Sequence, residues 1–398
     1  MKILILITSI ALSINSNAQT AYITNGNENT ISVINVATNT IITTIPVGNY
    51  PNGVSVSPDG CKVYITNYLS STINKINTST NTVSATVNVG TDPSGIIVSP
   101  DGSKVYVANY GSNTVSVISS IADTVTATIP VGYGPMGITI TPDGAKVYAA
   151  IGADQTIFVI NTASNTVIDT ISIGSAPTGI AITPDGSKIY VAKTDNTVSV
   201  INTNTDSVLK IISVGNYPEG VSVSPDGSKV YVANSVYNSV SIINTATNMV
   251  TDTIPVGPHP FGTSISPDGT KLYVANNWDT TVTVINTVNN SVAATIRVGI
   301  RPIAFGNFIS SHVPTGIETF NDSDNVSIYP NPTKGQFRIS LQSDKALITV
   351  TDILGHVILI TQATQKTTNI QVDNNGVYIV YISTNQGTAT RKLIVNNY

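Results

Sequence analysis

A single sequence pattern recurs at a nearly constant interval along most of this 398-residue chain. It contains a Pro-Asp-Gly turn, an apolar strand built around a tyrosine, a strand similar to Thr-Val-Ser-Val-Ile, and a last strand that ends in Val-Gly. The turns begin at prolines spaced 42, 42, 42, 41 and 42 residues apart, namely Pro58, Pro100, Pro142, Pro184, Pro225 and Pro267. Such a repeat constrains the fold strongly, because each unit must bury its apolar face against its neighbours.

Each repeat predicts four antiparallel strands. In one of them, alternating apolar residues at 94–98, 104–108, 114–118 and 124–131 are separated by turn-forming residues. Four strands in about 40–45 residues are typical of a β-propeller blade. We therefore predict an all-β chain in which most residues form a propeller.

The two ends of the repeat array predict how the propeller closes. The array begins at Tyr22, in the second strand of a blade, and ends with a lone first strand at 302–309. We expect these two segments to pair, which gives a closed ring of seven blades. Closure is physically favoured because an open propeller would expose unpaired strand edges.

The tyrosine strands resemble a known family. Tyr22-Ile-Thr-Asn25, Tyr64-Ile-Thr-Asn67 and Tyr106-Val-Ala-Asn109 are similar to the YVTN-type β-propeller repeat of bacterial and archaeal surface-layer proteins. The resemblance covers roughly residues 20–310 and departs at Ile151 and Lys193, where the asparagine is lost. It implies a propeller at or outside the cell surface.

The C-terminal region follows a different pattern. Residues 312–324 are predicted to be a linker, and 325–398 alternate as a small β-sandwich. This region resembles the C-terminal sorting domain of the type IX secretion pathway in Tyr329-Pro-Asn-Pro332, Asp352 to Gly355, Gly376-Val-Tyr378 and Lys392-Leu-Ile-Val395. The resemblance implies recognition by the outer-membrane secretion machinery of a Gram-negative bacterium, followed by release or attachment to the cell surface.

The first 18 residues are typical of a secretory signal peptide. Lys2 precedes an apolar run at 3–14, and small residues follow at 16–18. The run is too short to span a bilayer, and no later segment is long enough. We therefore predict a signal peptide at 1–18, a propeller at 19–311 and no transmembrane segment.

Composition argues against several classes of function. Charged residues make up 10% of the chain and the net charge is −4, so nucleic acid is not an expected partner. Cys61 is the single cysteine, which excludes an internal disulfide and a two-cysteine haem attachment. His259 is the single histidine of the propeller, which argues against a metal site built on several histidines. We expect neither a metal nor a cofactor.

The predicted strand order sorts the loops onto two faces. The fourth-to-first and second-to-third loops form what we call the loop face, and the Pro-Asp-Gly and third-to-fourth turns form the turn face. Aromatic residues concentrate on the loop face, whereas the turn face is expected to be solvated. We predict a glycan or protein ligand on the aromatic residues, with packing over the blades as the alternative. They are Tyr50, Tyr68, Tyr110, Tyr133, Tyr217, Tyr237, Phe261 and Trp278.

An enzymatic function has weaker support. Glu219, His259 and Arg301 are expected in fourth-to-first loops of consecutive blades, near the channel mouth, without any motif spacing. They are the candidates for a lactonase-like hydrolase. The favoured interpretation is an exported, non-enzymatic binding scaffold, and a structural surface-coat component is a further alternative.

Overall fold

The computed structural model describes residues 19–310, 327–341, 346–352, 357–384 and 387–396. The predicted signal peptide 1–18 and linker 312–324 lie outside the described residues. The chain divides into two compact units, Met1–Pro314 and Thr315–Tyr398. No helix within the described ranges is both long and apolar enough to cross a membrane.

The first unit contains 27 strands in seven sheets, each of which is one blade. Blade 1 holds β1 (Thr20–Asn25), β2 (Thr30–Asn35) and β3 (Thr40–Pro46). Blade 2 holds β4 (Pro51–Val56), β5 (Lys62–Asn67), β6 (Thr72–Asn77) and β7 (Thr82–Asn88). Blade 3 holds β8 (Pro93–Val98), β9 (Lys104–Asn109), β10 (Thr114–Ser119) and β11 (Thr124–Pro130). Blade 4 holds β12 (Pro135–Ile140), β13 (Lys146–Ile151), β14 (Thr156–Asn161) and β15 (Thr166–Ser172).

The remaining three blades repeat this arrangement. Blade 5 holds β16 (Pro177–Ile182), β17 (Lys188–Lys193), β18 (Thr197–Asn202) and β19 (Ser207–Ser213). Blade 6 holds β20 (Pro218–Val223), β21 (Lys229–Asn234), β22 (Ser239–Asn244) and β23 (Met249–Pro255). Blade 7 holds β24 (Pro260–Ile265), β25 (Lys271–Asn276), β26 (Thr281–Asn286) and β27 (Ser291–Arg297). Successive strands pair antiparallel within every blade, as the alternation predicted.

Blade 1 is completed by the last segment of the repeat array. The Tyr22 amide donates to the carbonyl of Phe308 at 2.9 Å, and the Ile303 amide donates to that of Thr24 at 3.0 Å. Isolated bridges join Ala21 to Ile309 and Asn25 to Pro302 on the same strand pair. The predicted ring of seven blades is therefore confirmed, including the pairing that closes it.

The inner strands approach one another through a collar of glycines. A Cβ on Gly53, Gly95, Gly137, Gly179 or Gly220 would lie 2.1–2.5 Å from a backbone oxygen of the next blade. No side chain fits in such a gap, because real Cβ contacts are longer than 3.0 Å. In the closing segment Phe305 lies at the collar and packs edge-on against Phe261, with ring centroids 5.7 Å apart. A void of only about 30 Å³ remains there.

The repeated tyrosines link neighbouring blades. All seven are buried, and several hydroxyls reach the third-to-fourth turn of the next blade. Tyr148 of blade 4 donates to Asp206 of blade 5 at 2.6 Å, and Lys146 forms an ion pair with the same carboxylate at 2.7 Å. Burial and the Asp206 carboxylate raise the pKa of Tyr148 well above its usual value. The tyrosines therefore join blades as well as filling the core.

We expect Tyr148→Phe to lower the free energy of unfolding by about 1.5–3 kcal/mol, because it removes a buried hydrogen bond to a charged group. Tyr106→Phe is the matched control, since the buried Tyr106 hydroxyl has no hydrogen-bond partner. That change should be close to neutral. Chemical denaturation of both variants measures the difference, and equal losses would contradict the assignment.

The second unit contains two sheets. Its strands are β28 (Ser327–Tyr329), β29 (Gln336–Ser340), β30 (Ala346–Asp352), β31 (Val357–Ala363), β32 (Thr367–Gln371), β33 (Gly376–Thr384) and β34 (Gly387–Val395). The sheet orders are β28-β29-β32 and β31-β30-β33-β34. One apolar core, which includes Phe337, Ile348, Val380 and Leu393, is shared by both sheets. This agrees with the predicted small β-sandwich.

Candidate functional site

A repeated backbone framework builds the loop face. In every blade the residue before the first-strand proline accepts a hydrogen bond from the first residue of the second-to-third loop. The seven N–O distances are all 2.9–3.0 Å. We call these two sites the pre-proline position and the second-loop position. The framework holds two side chains per blade at equivalent places on the same face.

Five non-glycine residues at the pre-proline position have a left-handed backbone. Their φ angles lie between 51° and 61°, at Tyr50, Asp92, Tyr217, His259 and Arg301. This conformation costs most L-residues roughly 1–2 kcal/mol. An asparagine side chain fixes several of them, as when the Asn196 carboxamide oxygen accepts from the Tyr217 amide at 2.9 Å. The surrounding structure therefore enforces the strained backbone, a feature that is common at functional sites.

The side chains on this constant framework differ from blade to blade. The second-loop positions, from blade 1 to blade 7, are Gly26, Tyr68, Tyr110, Gly152, Thr194, Ser235 and Asn277. The pre-proline positions in the same order are Arg301, Tyr50, Asp92, Gly134, Ala176, Tyr217 and His259. Blades 4 and 5 carry only small residues, whereas large or charged residues occupy the other blades. The side chains at these two positions are therefore smallest on one side of the ring.

A line of contacting rings crosses blades 1 to 3. The Arg301 guanidinium lies 5.4 Å from the Tyr50 ring centroid, within the range of a cation–π contact. Tyr50 meets Tyr68 edge to face at 6.0 Å, and Tyr68 meets Tyr110 at 6.4 Å. Burial, and then the nearby Asp92, raises the pKa of Tyr68. These predicted residues are therefore partly engaged in packing with one another.

Trp278 presents a flat aromatic surface on blade 7. Its indole stacks on the His259 imidazole with ring centroids 4.2 Å apart, yet 73% of the residue is exposed. Burial, followed by the charge of Arg301, lowers the pKa of His259. The imidazole is therefore neutral near pH 7 and supports the indole from one side, which leaves the other side of the ring open to a ligand.

Ser235 was not identified from the sequence, although it lies beside the candidate His259. Its hydroxyl oxygen lies 2.8 Å from His259 Nδ1. Such a pair can form a nucleophile and its base, but Ser235 is fully buried. Comparison of the residues after each tyrosine strand could have singled it out, since Ser235 lies at the second-loop position.

Glu219 lies in a strand and not in a loop as the sequence analysis expected. It is the second residue of β20, which begins at Pro218, so its side chain is placed by the inner strand. It is 5% exposed, and its Oε2 atom has no hydrogen-bond partner. Burial raises the pKa of Glu219 to about 8, with no contribution from His259 or Arg301. His259 and Arg301 are electrostatically coupled, whereas Glu219 is not part of that pair.

The remaining aromatic candidates differ in exposure. Tyr133, Tyr217 and Tyr237 are 68%, 43% and 62% exposed and lie in loops of the predicted face. Phe261 is the second residue of β24 and packs on Phe305 in the channel, so it lies deeper than its loop placement implied. The three tyrosines therefore lie in loops as expected, whereas Phe261 lies in a strand.

The turn face combines hydrogen-bonded turns with an apolar opening. Asp101 accepts hydrogen bonds from Ser99 and Ser103, which lower the pKa of Asp101 to about 2. Equivalent bonds recur at the other described turns, for example at Asp185. At the centre of this face, a cavity of about 440 Å³ is lined mainly by apolar residues, with several hydroxyl and carboxamide groups among them. The turn face therefore surrounds a central cavity that the sequence analysis did not identify.

Comparison with known proteins agrees with this architecture. The chain is similar to hydrazine synthase of Kuenenia stuttgartiensis, with 25% identity, a TM-score of 0.63, and coverage of 67% of this chain and 92% of that one. It is also similar in fold to a functionally unknown protein from Desulfotomaculum acetoxidans, with 20% identity, a TM-score of 0.63, and coverage of 73% and 100%. A search of curated proteins finds no match.

Two family descriptions match separate parts of the chain. Residues 327–396 match the secretion system C-terminal sorting domain, which agrees with the resemblance to type IX sorting domains. The protein is therefore secreted or attached to the outer surface of a Gram-negative bacterium. Residues 4–315 match the YNCE-like β-propeller, and because this region is most of the chain, the protein belongs to the YNCE-like β-propeller family.

Proposed function

We propose that this secreted propeller is a non-enzymatic binding module whose loop face holds an extracellular glycan or protein. The observation that carries the proposal is the constant hydrogen-bonded framework, which presents different side chains in different blades. Structural packing alone would be satisfied by the same residue in every repeat. Variation at these two positions from blade to blade is better explained by an asymmetric ligand.

The exposed aromatic residues favour a glycan over a protein. The open side of the Trp278 indole and the half-exposed Tyr217 ring are flat apolar surfaces with polar neighbours. Such rings combine apolar contact area with little loss of conformational entropy on binding. The small residues at both framework positions of blades 4 and 5 leave space beside the rings for a ligand that extends beyond them.

A lactonase-like hydrolase is supported less well. Its candidate carboxyl, Glu219, is buried in β20 and is not coupled to His259. The hydroxyl that does contact His259 belongs to Ser235, which has no exposed surface. A surface-coat function would require contacts between copies of the chain, and the exposed rings of the loop face could also form these.

We expect Tyr217→Ala/Trp278→Ala to weaken ligand binding at least tenfold, about 1.4 kcal/mol, because two ring contacts are lost. The measurement is a glycan and extracellular-matrix array, followed by titration of any hit with the purified protein. Ile121→Ala/Val288→Ala is the matched control, since both residues are more than 80% exposed on the turn face. A hit that resists the loop-face change, or no hit at all, would argue against the proposal and direct attention to an esterase and lactonase panel.

A further inference from the structure

The turn face contains a cavity that is separate from the proposed loop-face site. Its volume is about 440 Å³, within the range of roughly 300–1,000 Å³ that is typical of small-molecule sites. It lies along the propeller axis and ends at the glycine collar, where Phe305 and the inner strands leave only about 30 Å³. The cavity is therefore open on the turn face and closed toward the loop face.

The lining of the cavity is unevenly polar. Blades 3 and 5 contribute mainly aliphatic side chains, including Ile96, Ile97, Ile180 and Ile182. Hydroxyl and carboxamide groups come mostly from blades 6, 7 and 1, namely Ser222, Thr263, Ser264 and Asn307. None of the described residues that line the cavity carries a charge.

Thr263 differs in chemical type from the residues at the same inner-strand position of five other blades. The equivalent residues of five other blades are aliphatic and β-branched: Val54, Ile96, Ile138, Ile180 and Val221. Thr263 is 2% exposed, and its hydroxyl has no hydrogen-bond partner, so it costs the folded state roughly 1–3 kcal/mol relative to a satisfied group. Valine would fill the same space without that cost. The Ser222 hydroxyl, also buried and without a partner, lies in the neighbouring blade 6.

We propose that this cavity binds a small, uncharged amphipathic molecule with an aliphatic body and a hydroxyl or carbonyl end. The aliphatic body packs against the isoleucines of blades 3 and 5. The polar end pairs with the Thr263 hydroxyl and its neighbours at the closed end. A charged end group is disfavoured, because no lining residue could compensate its loss of hydration. This site does not depend on the loop-face ligand.

The test uses the full protein and a competition assay. N-phenyl-1-naphthylamine, an uncharged dye, should bind saturably with a rise in fluorescence, and 1-octanol should displace it. Octanoate, which has the same chain length but is charged at pH 7, should require at least tenfold higher concentration. The absence of saturable dye binding, or equal displacement by octanoate, would overturn the proposal.

Two variants locate the site. Ala181→Phe places a large ring in the cavity wall and should weaken dye binding at least tenfold. Ile97 and Thr139 occupy the same strand position in other blades, so the fold tolerates a residue larger than alanine there. Ala163→Phe, at an exposed third-to-fourth turn, is the control and should bind normally. Unchanged binding by a folded Ala181→Phe protein would overturn the assignment.

Thr263→Val is a third variant, which tests the role of the hydroxyl without adding a bulky side chain. Because valine keeps the shape of threonine, the variant should fold and unfold at a higher temperature than the wild type. Its affinity for 1-octanol should fall about fivefold, whereas its affinity for the dye should not change. A variant that gains stability but keeps its octanol affinity would show that the hydroxyl does not contact the ligand.

Discussion

Gly179→Ala is expected to lower the free energy of unfolding by about 3 kcal/mol or more. Gly179 has no left-handed backbone, so alanine would be tolerated by the local conformation. Its Cβ, however, would lie 2.1 Å from the Glu219 carbonyl oxygen of the next blade. Relief of this overlap requires two inner strands to separate, and overpacking of this kind commonly costs 1–3 kcal/mol or more. Urea denaturation followed by circular dichroism measures the loss.

Gly174→Ala, in the loop that leads into the same blade, is the matched control. Gly174 has a φ of +77° and no atom within 4 Å of the position of a new Cβ. Its replacement therefore tests conformational strain without a steric overlap, and we expect a loss of about 1 kcal/mol. If both variants lost the same stability, the collar would not be the cause of the Gly179 effect.

Glu219→Gln is expected to remove a pH dependence of stability. The pKa of Glu219 is raised from 4.5 to about 8 in the folded state, because burial disfavours the charged form. The folded protein therefore binds one more proton than the unfolded chain between these values, and the wild type loses stability as the pH rises from 4.5 to about 8. The full difference is on the order of 5 kcal/mol.

The measurement is urea denaturation of both proteins at pH 5 and pH 8.5. Glutamine stays uncharged at both, so the stability of the variant relative to the wild type should be greater at pH 8.5 than at pH 5. Glu28→Gln changes the same chemical group at an exposed position of the loop face and serves as the control. A wild-type advantage that grew toward pH 8.5 would mean that Glu219 is ionised and paired in the folded protein.

Much of the propeller could be predicted because its determinants are local and repeated. The Pro-Asp-Gly turns, the alternation around Tyr106 and the proline that starts each inner strand appear within about 20 residues of one another. The closure of blade 1 by 302–309 also followed from the sequence, since only that segment was missing from an otherwise complete ring. The same strand order predicted which loops share a face.

For the candidate site, the sequence predicted which face of the propeller carries the residues but not the contacts between them. The sequence placed Trp278 and His259 in two loops of the loop face. Their stacking depends on the directions in which the two side chains point, which the sequence does not show. The contact between Arg301 and Tyr50 joins residues about 250 positions apart, and no local pattern indicates it. Ser235 could have been selected only by comparing the second-loop positions of all blades, and its contact with His259 is visible only in the structure.

The sequence by itself determined the number of blades, the strand order, the closing pair and the face that carries the aromatic residues. These features follow from turn chemistry and two-residue alternation, which act over a few neighbouring residues. Only the tertiary structure decided that Glu219 is buried, that Phe305 closes the channel and that Thr263 lines a cavity without a partner. Burial and enclosure depend on the distances between blades, which are set when all seven sheets close around one axis.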